Sequence, residues 1–220
     1  MTGFTLLDRE TWDRCTDFDF FMDKGMCIHC CANVEVGKPV RLLKERGLRF
    51  FIPMVYLVGR CLNGIEGFRV SAEHYPTHED ARVPVRLDRR DASFPILNSA
   101  GNPMNVLVEF SDDFEAFYDR ATAVADAAVE RGVNTFSQGN ACFIMSYVPL
   151  AFTDISGYSL EKPSLIPVVI VGKYTWDGDK CTMPVSLTVP HAFVDGMQIA
   201  EFYERLQGYC DDPLAAFGLM

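Results

Sequence analysis

The sequence predicts an α+β protein in which helices pack on a mixed, mostly antiparallel sheet. Short apolar segments typical of strands are interspersed with amphipathic helical segments, and a hairpin signal favours antiparallel pairing of neighbouring strands. The 220-residue chain shows no internal repeat, low-complexity tract or Pro/Gly/Ser-rich linker. We therefore expect one domain, residues 1–220, that is large enough to bury a sizeable core.

The first half of the chain is predicted to contain one long strand, two helices and several short strands. The apolar segment Met26–Val36 predicts the long strand. A short helix over Pro39–Arg46 ends at Gly47, and a second helix runs from Pro53, as its first residue, to Leu62. The short strands are predicted at Phe68–Ser71, Ala81–Leu87 and Val106–Phe110.

A longer amphipathic helix is predicted to follow Ser111-Asp112-Asp113. Asp112 can act as its N-cap, with Glu115 three residues later as the return partner of a capping box. Gly132 is expected to end the helix. One apolar stripe supports this prediction: Phe114, Phe117, Ala121, Val124, Ala125 and Ala128.

The last third of the chain is predicted to add three strands and a terminal helix. The segment Ala141–Val148 is apolar enough for a strand that is buried on both faces. The strands Val168–Tyr174 and Cys181–Val189 are joined by the hairpin signal Trp176-Asp177-Gly178-Asp179. Met197–Tyr209 follows as a helix with one apolar side.

Composition excludes several functional classes. The 20 basic and 30 acidic residues give a formal charge of −10, which repels phosphate backbones and argues against a general nucleic-acid binder. A local basic pocket for one phosphorylated cofactor stays open. No segment approaches the roughly 20 apolar residues that a membrane span requires. The first ten residues lack the pattern of a secretion signal.

The cysteine content points to a reducing compartment. A chain with this much core does not need disulfide staples, and no secretion signal is recognised, so we expect a cytoplasmic protein with free thiols. The eight cysteines are Cys15, Cys27, Cys30, Cys31, Cys61, Cys142, Cys181 and Cys210.

The segment most indicative of chemistry joins the last predicted strand to the last helix. It places His191 directly after a strand, with Asp195 four residues later and Gly196 before the helix. Histidine is the side chain best suited to accept a proton near neutral pH. An isolated histidine in such a turn can also be held by backbone hydrogen bonds without any catalytic role. The turn alone leaves both interpretations open.

Further motifs along the chain resemble those of the chloramphenicol acetyltransferase family. They occur in the family's order over almost the whole sequence and match least between Gly67 and Met104. The motifs are Trp12-Asp13-Arg14 with Phe18, Phe20 and Phe21; Phe51–Leu57; Phe136-Ser137-Gln138-Gly139; Ser146 with Pro149; Ile166–Tyr174; Met183–Val189 with the His191 turn; and Arg205–Cys210.

The resemblance implies a chloramphenicol-acetyltransferase-like fold and an acetyl-CoA-dependent O-acetyltransferase that inactivates an antibiotic, chloramphenicol. His191 matches the general base, and Ser146 matches the serine that stabilises the oxyanion. Asp195 and Arg14 match a structural ion pair, which we expect to be buried. Members of the family form homotrimers with active sites between subunits. They transfer the acetyl group directly to the acceptor, without an acyl-enzyme intermediate.

The resemblance also indicates where substrates bind. Phe21, Gly25 and Cys27 match the acceptor pocket, although simple core packing explains these residue types equally well. Leu150 stands where some members contact coenzyme A through a tryptophan. Three further departures from the family pattern are Pro190 in place of the first histidine of a pair, Lys162 near a water-ordering threonine, and Phe21 in place of a tyrosine.

These departures keep two alternatives open. The first is an acyltransferase of the same fold for another alcohol or for an amine. The second is a catalytically inactive trimeric protein that binds a small molecule. The retained residues His191, Ser146, Arg14 and Asp195 argue against the second alternative.

The segment Cys27-Ile28-His29-Cys30-Cys31 suggests zinc at first sight. If it is a strand, however, Cys30 points away from Cys27, His29 and Cys31, so four ligands cannot converge. We therefore expect no metal. Cys30 or Cys31 is expected to be reactive only if it is exposed.

Overall fold

The structure is a computed structural model that describes residues 3–72, 83–131, 141–146 and 165–219; within 141–146 it describes the side chains of Cys142 and Ile144. The strands are β1 (Phe4–Leu6), β2 (Cys27–Glu35), β3 (Val70–Ser71), β4 (Val85–Leu87), β5 (Asp91–Leu97), β6 (Pro103–Val108), β7 (Ala141–Ser146), β8 (Val168–Val171), β9 (Thr175–Asp177) and β10 (Lys180–Pro190). The helices are α1 (Cys15–Lys24), α2 (Gly37–Glu45), α3 (Phe51–Gly64), α4 (Phe114–Arg131), α5 (Gly196–Asp211) and α6 (Pro213–Phe217), with a 3₁₀ helix at Glu66–Arg69.

The larger sheet has the strand order β2-β10-β8-β7-β5-β6, and β9 pairs with β10. The pairs β5/β7 and β7/β8 are parallel, whereas β10 is antiparallel to β2, β8 and β9, and β5 is antiparallel to β6. A smaller antiparallel sheet has the order β1-β4-β3. The predicted α+β class, with a mixed and mostly antiparallel sheet, is therefore confirmed.

The central strand β10 leads into the candidate site. Its alternate residues Val185, Leu187 and Val189 are fully buried in the hydrophobic core, as expected for a strand with neighbours on both edges. Its register with β2 runs from Thr182 opposite Glu35 to Pro190 opposite Cys27. The end of β10 therefore lies beside the beginning of β2.

Aromatic packing attaches α3 and α4 to the core. Tyr56 of α3 is 2% exposed, and its hydroxyl donates a 2.6 Å hydrogen bond to the carbonyl of Asp112. The Tyr56 ring lies 5.2–5.9 Å from the rings of Phe110, Phe114 and Phe117, distances typical of favourable aromatic pairs. The first two residues of the apolar stripe predicted for α4, Phe114 and Phe117, thus lie in the core.

The strand predicted at Phe68–Ser71 is largely wrong. Residues up to Arg69 belong to the 3₁₀ helix, and only Val70 and Ser71 form β3. The buried guanidinium of Arg90 explains the difference, because its Nε and Nη2 donate to the carbonyls of Phe68 and Val70 at 2.8 and 2.7 Å. The carbonyl of Phe68 therefore has a side-chain partner where a strand would need a neighbouring strand, whereas Val70 pairs with β4.

Other predicted boundaries shift by a few residues. Helix α3 begins at Phe51, so Pro53 is its third residue; the N–H groups of the first turn have no partner within the helix, which makes proline tolerable there. The strand predicted at Val106–Phe110 is β6 and ends at Val108. Residues 81–82, Gly132 and Val148, which the predictions include, lie outside the described residues.

The N-cap predicted for α4 is one residue off. Asp113 Oδ1 accepts the N–H of Ala116 at 2.9 Å, and the Asp113 N–H donates to Ser111 Oγ at 3.2 Å. Asp113 is thus the residue that caps the helix, and Glu115 is not placed three residues after it. Asp112 contributes its backbone carbonyl to Tyr56.

Some elements are absent from the prediction: β1, α1, β5, β9 and α6, where Trp176 and Asp177 of β9 were assigned to the hairpin signal. In β5 the signal is interrupted by Pro95, which cannot donate a ladder hydrogen bond. The structure accommodates Pro95 because β7 pairs only with Asp91 to Ser93, so β5 has a partner on one side at residue 95.

The capping assignment predicts a measurable difference between two adjacent aspartates. Asp113→Ala is expected to lower the free energy of unfolding by about 1 kcal/mol, the usual loss when a capping side chain is removed. Asp112→Ala is the matched control and is expected to cost less, because the mutation keeps the carbonyl that binds Tyr56. Urea unfolding of both variants measures the difference. An equal or larger loss for Asp112→Ala would contradict the assignment.

Candidate active site

The candidate site is the turn between β10 and α5, residues 191–195. The N–H of His191 donates to the carbonyl of Met26 at 2.9 Å, which ties the turn to the residue before β2. The N–H groups of Phe193 and Val194 both donate to the carbonyl of Pro190, at 3.2 and 3.3 Å. The turn is therefore closed by its own backbone and fixed to the edge of the sheet.

The imidazole of His191 has a defined proton position. Its Nδ1 lies 3.1 Å from the carbonyl oxygen of Val194. A carbonyl oxygen can only accept, so the neutral ring carries its proton on Nδ1 and leaves Nε2 with a free lone pair. His191 is half-buried. This arrangement is what a proton acceptor requires.

Helix α1 supplies the ring that covers one side of the imidazole. The Phe21 ring stacks on the His191 ring with 3.7 Å between centroids and 24° between planes. Phe20 contacts Phe21 edge-on at 5.1 Å and is itself 56% exposed. Phe21 therefore lies against the candidate base and restricts the plane of the imidazole, while its assignment to the acceptor pocket stays a prediction.

Arg14 holds the turn from the side. Its Nη1 donates to Asp195 Oδ2 at 2.8 Å and its Nη2 donates to the carbonyl of His191 at 3.0 Å. The predicted Arg14–Asp195 pair is thus present. The expectation that it is buried is wrong for the carboxylate: the side chain of Asp195 is 38% exposed and that of Arg14 16%.

Asp195 has a second role that the sequence analysis missed. Its Oδ1 accepts the N–H of Met197 at 2.9 Å, while its own N–H donates to Oε1 of Gln198 at 2.9 Å. This is the capping box of α5. The signal was available in the sequence, since an aspartate followed three residues later by glutamine is a recognised helix start.

Gly25 and Cys27 connect α1 to the sheet beside the turn. Gly25 has φ +61°, a left-handed conformation that ends α1 and that glycine adopts without strain. Cys27 begins β2 opposite Pro190, and the residue is exposed. Partial desolvation of its thiol nevertheless raises the pKa of Cys27 above the usual value. Cys27 thus borders the turn, whereas Gly25 shapes the chain that leads to it.

Pro190, a departure from the family pattern, fits its place. It is the last residue of β10, where the loss of a backbone N–H is tolerated. Ser146 is the last residue of β7, and its side chain lies outside the described part of the structure. Leu150, Lys162 and residues 136–139 also lie outside the described residues, so their roles stay predictions.

The cysteine-rich segment forms part of β2, as expected. Cys27 and Cys31 are exposed and Cys30 is half-buried. His29 contacts Thr188 across the strands, with 2.8 Å between Nδ1 and Oγ1. Within the described ranges, no three His, Cys, Asp or Glu side chains are grouped so that they could hold a metal ion. In those same ranges, no helix has both the length and the apolar character that a membrane span needs.

Comparison with known sequences gives a consistent result. The family model for chloramphenicol acetyltransferase matches residues 2–207. Chloramphenicol acetyltransferase 2 of Escherichia coli is 26% identical over 219 residues, covering 96% of this chain and 99% of that protein. A chloramphenicol acetyltransferase of Clostridium perfringens is 26% identical over 213 residues, covering 93% and 97% of the two chains.

Comparison with solved structures identifies the same fold. A chloramphenicol acetyltransferase superposes with a TM-score of 0.79 at 24% identity, covering 96% of this chain and all of that one. A dihydrolipoamide acetyltransferase of Azotobacter vinelandii superposes with a TM-score of 0.65 at 16% identity, covering 91% and 88%.

The family model covers nearly the whole chain, and the two kinds of comparison agree. The fold predicted from the motifs is confirmed. The chain belongs to the chloramphenicol acetyltransferase family and is an acyltransferase of that type.

Proposed function

We propose that this protein, as one domain over residues 1–220, transfers an acetyl group from acetyl-CoA to a hydroxyl of chloramphenicol. The observation that supports this most directly is the His191 ring, whose Nδ1 is engaged by the Val194 carbonyl so that the lone pair lies on Nε2. The family and the names of the relatives supply the acceptor and the donor. In this proposal both substrates bind before the reaction starts.

The proposed step is a direct acyl transfer. His191 Nε2 takes the proton of the acceptor hydroxyl while that oxygen attacks the thioester carbonyl carbon. The hydroxyl of Ser146 stabilises the negative oxygen of the tetrahedral intermediate; such a donor is typically worth about 2.7–4 kcal/mol of barrier. The intermediate then expels the thiolate of coenzyme A, which recovers the proton from His191. Most of the acceleration comes from holding the two substrates and the base in line.

Arg14, Asp195 and Phe21 support the base without reacting. Arg14 binds the carbonyl of His191 itself, and Phe21 lies flat against the ring. A base that is fixed in this way does not lose orientational freedom in the transition state. We assign Leu150 to coenzyme A and Phe21, Gly25 and Cys27 to the acceptor side on the basis of the family resemblance.

A second candidate is acyl transfer to another alcohol or to an amine. Phe21 favours it, because its ring offers the acceptor no hydroxyl where the family resemblance leads us to expect a tyrosine. A missing hydrogen bond of this kind costs about 0.5–1.5 kcal/mol, which weakens chloramphenicol binding without abolishing it. Chloramphenicol therefore stays the first acceptor to test.

We propose that the protein assembles as a homotrimer with the site between neighbouring subunits. In the single chain three apolar side chains near the catalytic turn are solvent-exposed: Phe20 by 56%, Met26 by 45% and Met197 by 79%. Such side chains beside a polar site are typical of a surface that a second subunit covers.

This assembly predicts a mass in light scattering of three times the 24.7 kDa of one chain. Dilution to the monomer is expected to abolish acetyl transfer, because the site then lacks the part that the neighbouring subunit supplies. A monomer with full activity would rule the shared site out.

Release of free coenzyme A, with and without chloramphenicol, tests the function. Chloramphenicol-dependent release is expected from the wild type. His191→Ala is expected to slow it by at least about 100-fold, the lower range for loss of a positioned proton acceptor, with little change in coenzyme A binding. Release without acceptor sets the background. If no release depends on chloramphenicol, a panel of other alcohols and amines decides between the second candidate and an inactive binding protein.

The Arg14–Asp195 contact predicts coupling between two mutations. Asp195→Asn keeps an oxygen that can cap α5 and removes the charge that Arg14 binds; Arg14→Ala removes the other partner. Each single change is expected to lower turnover and to cost about 1–2 kcal/mol of stability, less than a buried pair because Asp195 is 38% exposed. The double mutant is expected to lose less than the sum of the two.

Glu201→Gln is the matched control for this cycle. It breaks an exposed pair in which Arg205 Nη2 lies 2.7 Å from Glu201 Oε1, and such pairs within a helix contribute about 0.3–0.5 kcal/mol. Chemical unfolding and turnover are measured for all variants. Strict additivity of Arg14→Ala and Asp195→Asn would show that the two residues do not act together.

A further inference from the structure

The 3₁₀ helix Glu66–Arg69 lies directly against the catalytic turn. A Cβ atom built on Gly67 would lie 3.0 Å from the carbonyl oxygen of Phe193, 3.6 Å from Cγ2 of Val194 and 3.7 Å from Cγ of Gln198. The first of these distances is shorter than ordinary van der Waals contact, and its partner is backbone. The backbone of Gly67 therefore packs so closely against the turn that even a Cβ atom would require the turn to shift by a few tenths of an ångström.

The requirement for glycine at this position is steric. The glycines with positive φ in the described residues are Gly25, Gly47, Gly101, Gly178 and Gly218, and Gly67 is not among them. Any L-residue can adopt its backbone conformation. A side chain at position 67 would instead make a close steric contact with the turn.

The 3₁₀ helix is held in place from behind by Arg90. This arginine is 1% exposed, and its Nε and Nη2 donate to the carbonyls of Phe68 and Val70, one and three residues beyond Gly67. The Arg90 N–H in turn donates to Asn63 Oδ1 of α3 at 2.7 Å. Moving the 3₁₀ helix away from the turn would break charge-assisted hydrogen bonds in the interior, so strain at Gly67 falls on the turn.

Two of the three residues that face Gly67 contact groups that hold the His191 turn. Val194 supplies the carbonyl that binds Nδ1 of the imidazole, and Gln198 binds the N–H of Asp195. We propose that Gly67, backed by Arg90, is a positioning residue that sets the location of the His191 ring through Phe193 and Val194. The proposal rests on the proposed role of His191 as the base.

Two substitutions at this position test the proposal. Gly67→Ala is expected to displace the turn by a few tenths of an ångström and to lower kcat several-fold; Gly67→Val is expected to lower it by more than about tenfold, since a misplacement near 1 Å can cost about 100-fold. The KM for acetyl-CoA is expected to stay within about twofold in both variants, because the turn and not the donor site is disturbed.

Gly208→Ala is the matched control. Gly208 lies in α5, and a Cβ built there meets nothing within 4 Å. The same chemical change is therefore expected to leave kcat unchanged, with equal or higher thermal stability because alanine favours a helix.

A spectroscopic readout separates this inference from the proposed reaction. The chain has four histidines, so the ¹⁵N resonances of the His191 ring can be assigned with a His191→Gln variant. Gly67→Ala is expected to shift the Nδ1 resonance and Gly208→Ala to leave it in place. Unchanged kcat and an unchanged resonance in Gly67→Ala would overturn the proposal. If Gly67→Ala shifts the Nδ1 resonance but the wild-type protein shows no acyl transfer, the positioning role is supported and the proposed function is refuted.

Discussion

The guanidinium of Arg14 makes two contacts that the geometry of the candidate site depends on. One nitrogen binds the Asp195 carboxylate and another binds the carbonyl of His191, so a single planar group fixes both ends of the turn. Asp195 also starts α5, where a negative charge is favoured by the exposed N–H groups of the first helical turn. Helix α1, the end of β10 and the start of α5 therefore meet at one side chain.

The remaining contacts restrict the turn from other directions. The carbonyl of Met26 binds the N–H of His191, and the Phe21 ring covers one face of the imidazole. Gly67 packs closely against Phe193 and Val194 of the turn. No single contact among these is strong. Together they restrict the orientation of the imidazole, which the proposed direct acyl transfer requires, because in that proposal positioning supplies most of the acceleration.

Local sequence patterns predicted the parts of the fold whose causes are local. The stripe that begins at Phe114 and the hairpin at Gly178 depend on residues near in sequence, and both were predicted close to their observed positions. The 3₁₀ helix was missed because its Phe68 carbonyl is bound by the buried guanidinium of Arg90, 22 residues away in the sequence. Asp112 and Asp113 can both cap a helix, and only tertiary packing on Tyr56 decides between them.

The residues of the candidate site were likewise predictable only in part. The resemblance to a family identified His191, Arg14 and Asp195, and the structure brings these three together. Exposure could not be predicted from the motifs, so the expectation of a buried Asp195 was wrong. The contact of Gly67 with Phe193 carries no local signal at all, since the two residues are far apart in sequence and the glycine has an ordinary backbone conformation.

The contact between Arg14 and Asp195 also constrains how the protein is made. The two residues are separated by 181 positions, so nearly the whole chain lies between them. A ribosome releases the N-terminal helix long before the last strand exists, and the arginine directly before that helix has no partner until the last strand and the turn after it have been made. Long-range closures of this kind are slow steps in folding. A nascent chain that is cut short before residue 191 thus lacks both His191 and the Asp195 carboxylate, and with them the turn on which the proposed reaction depends.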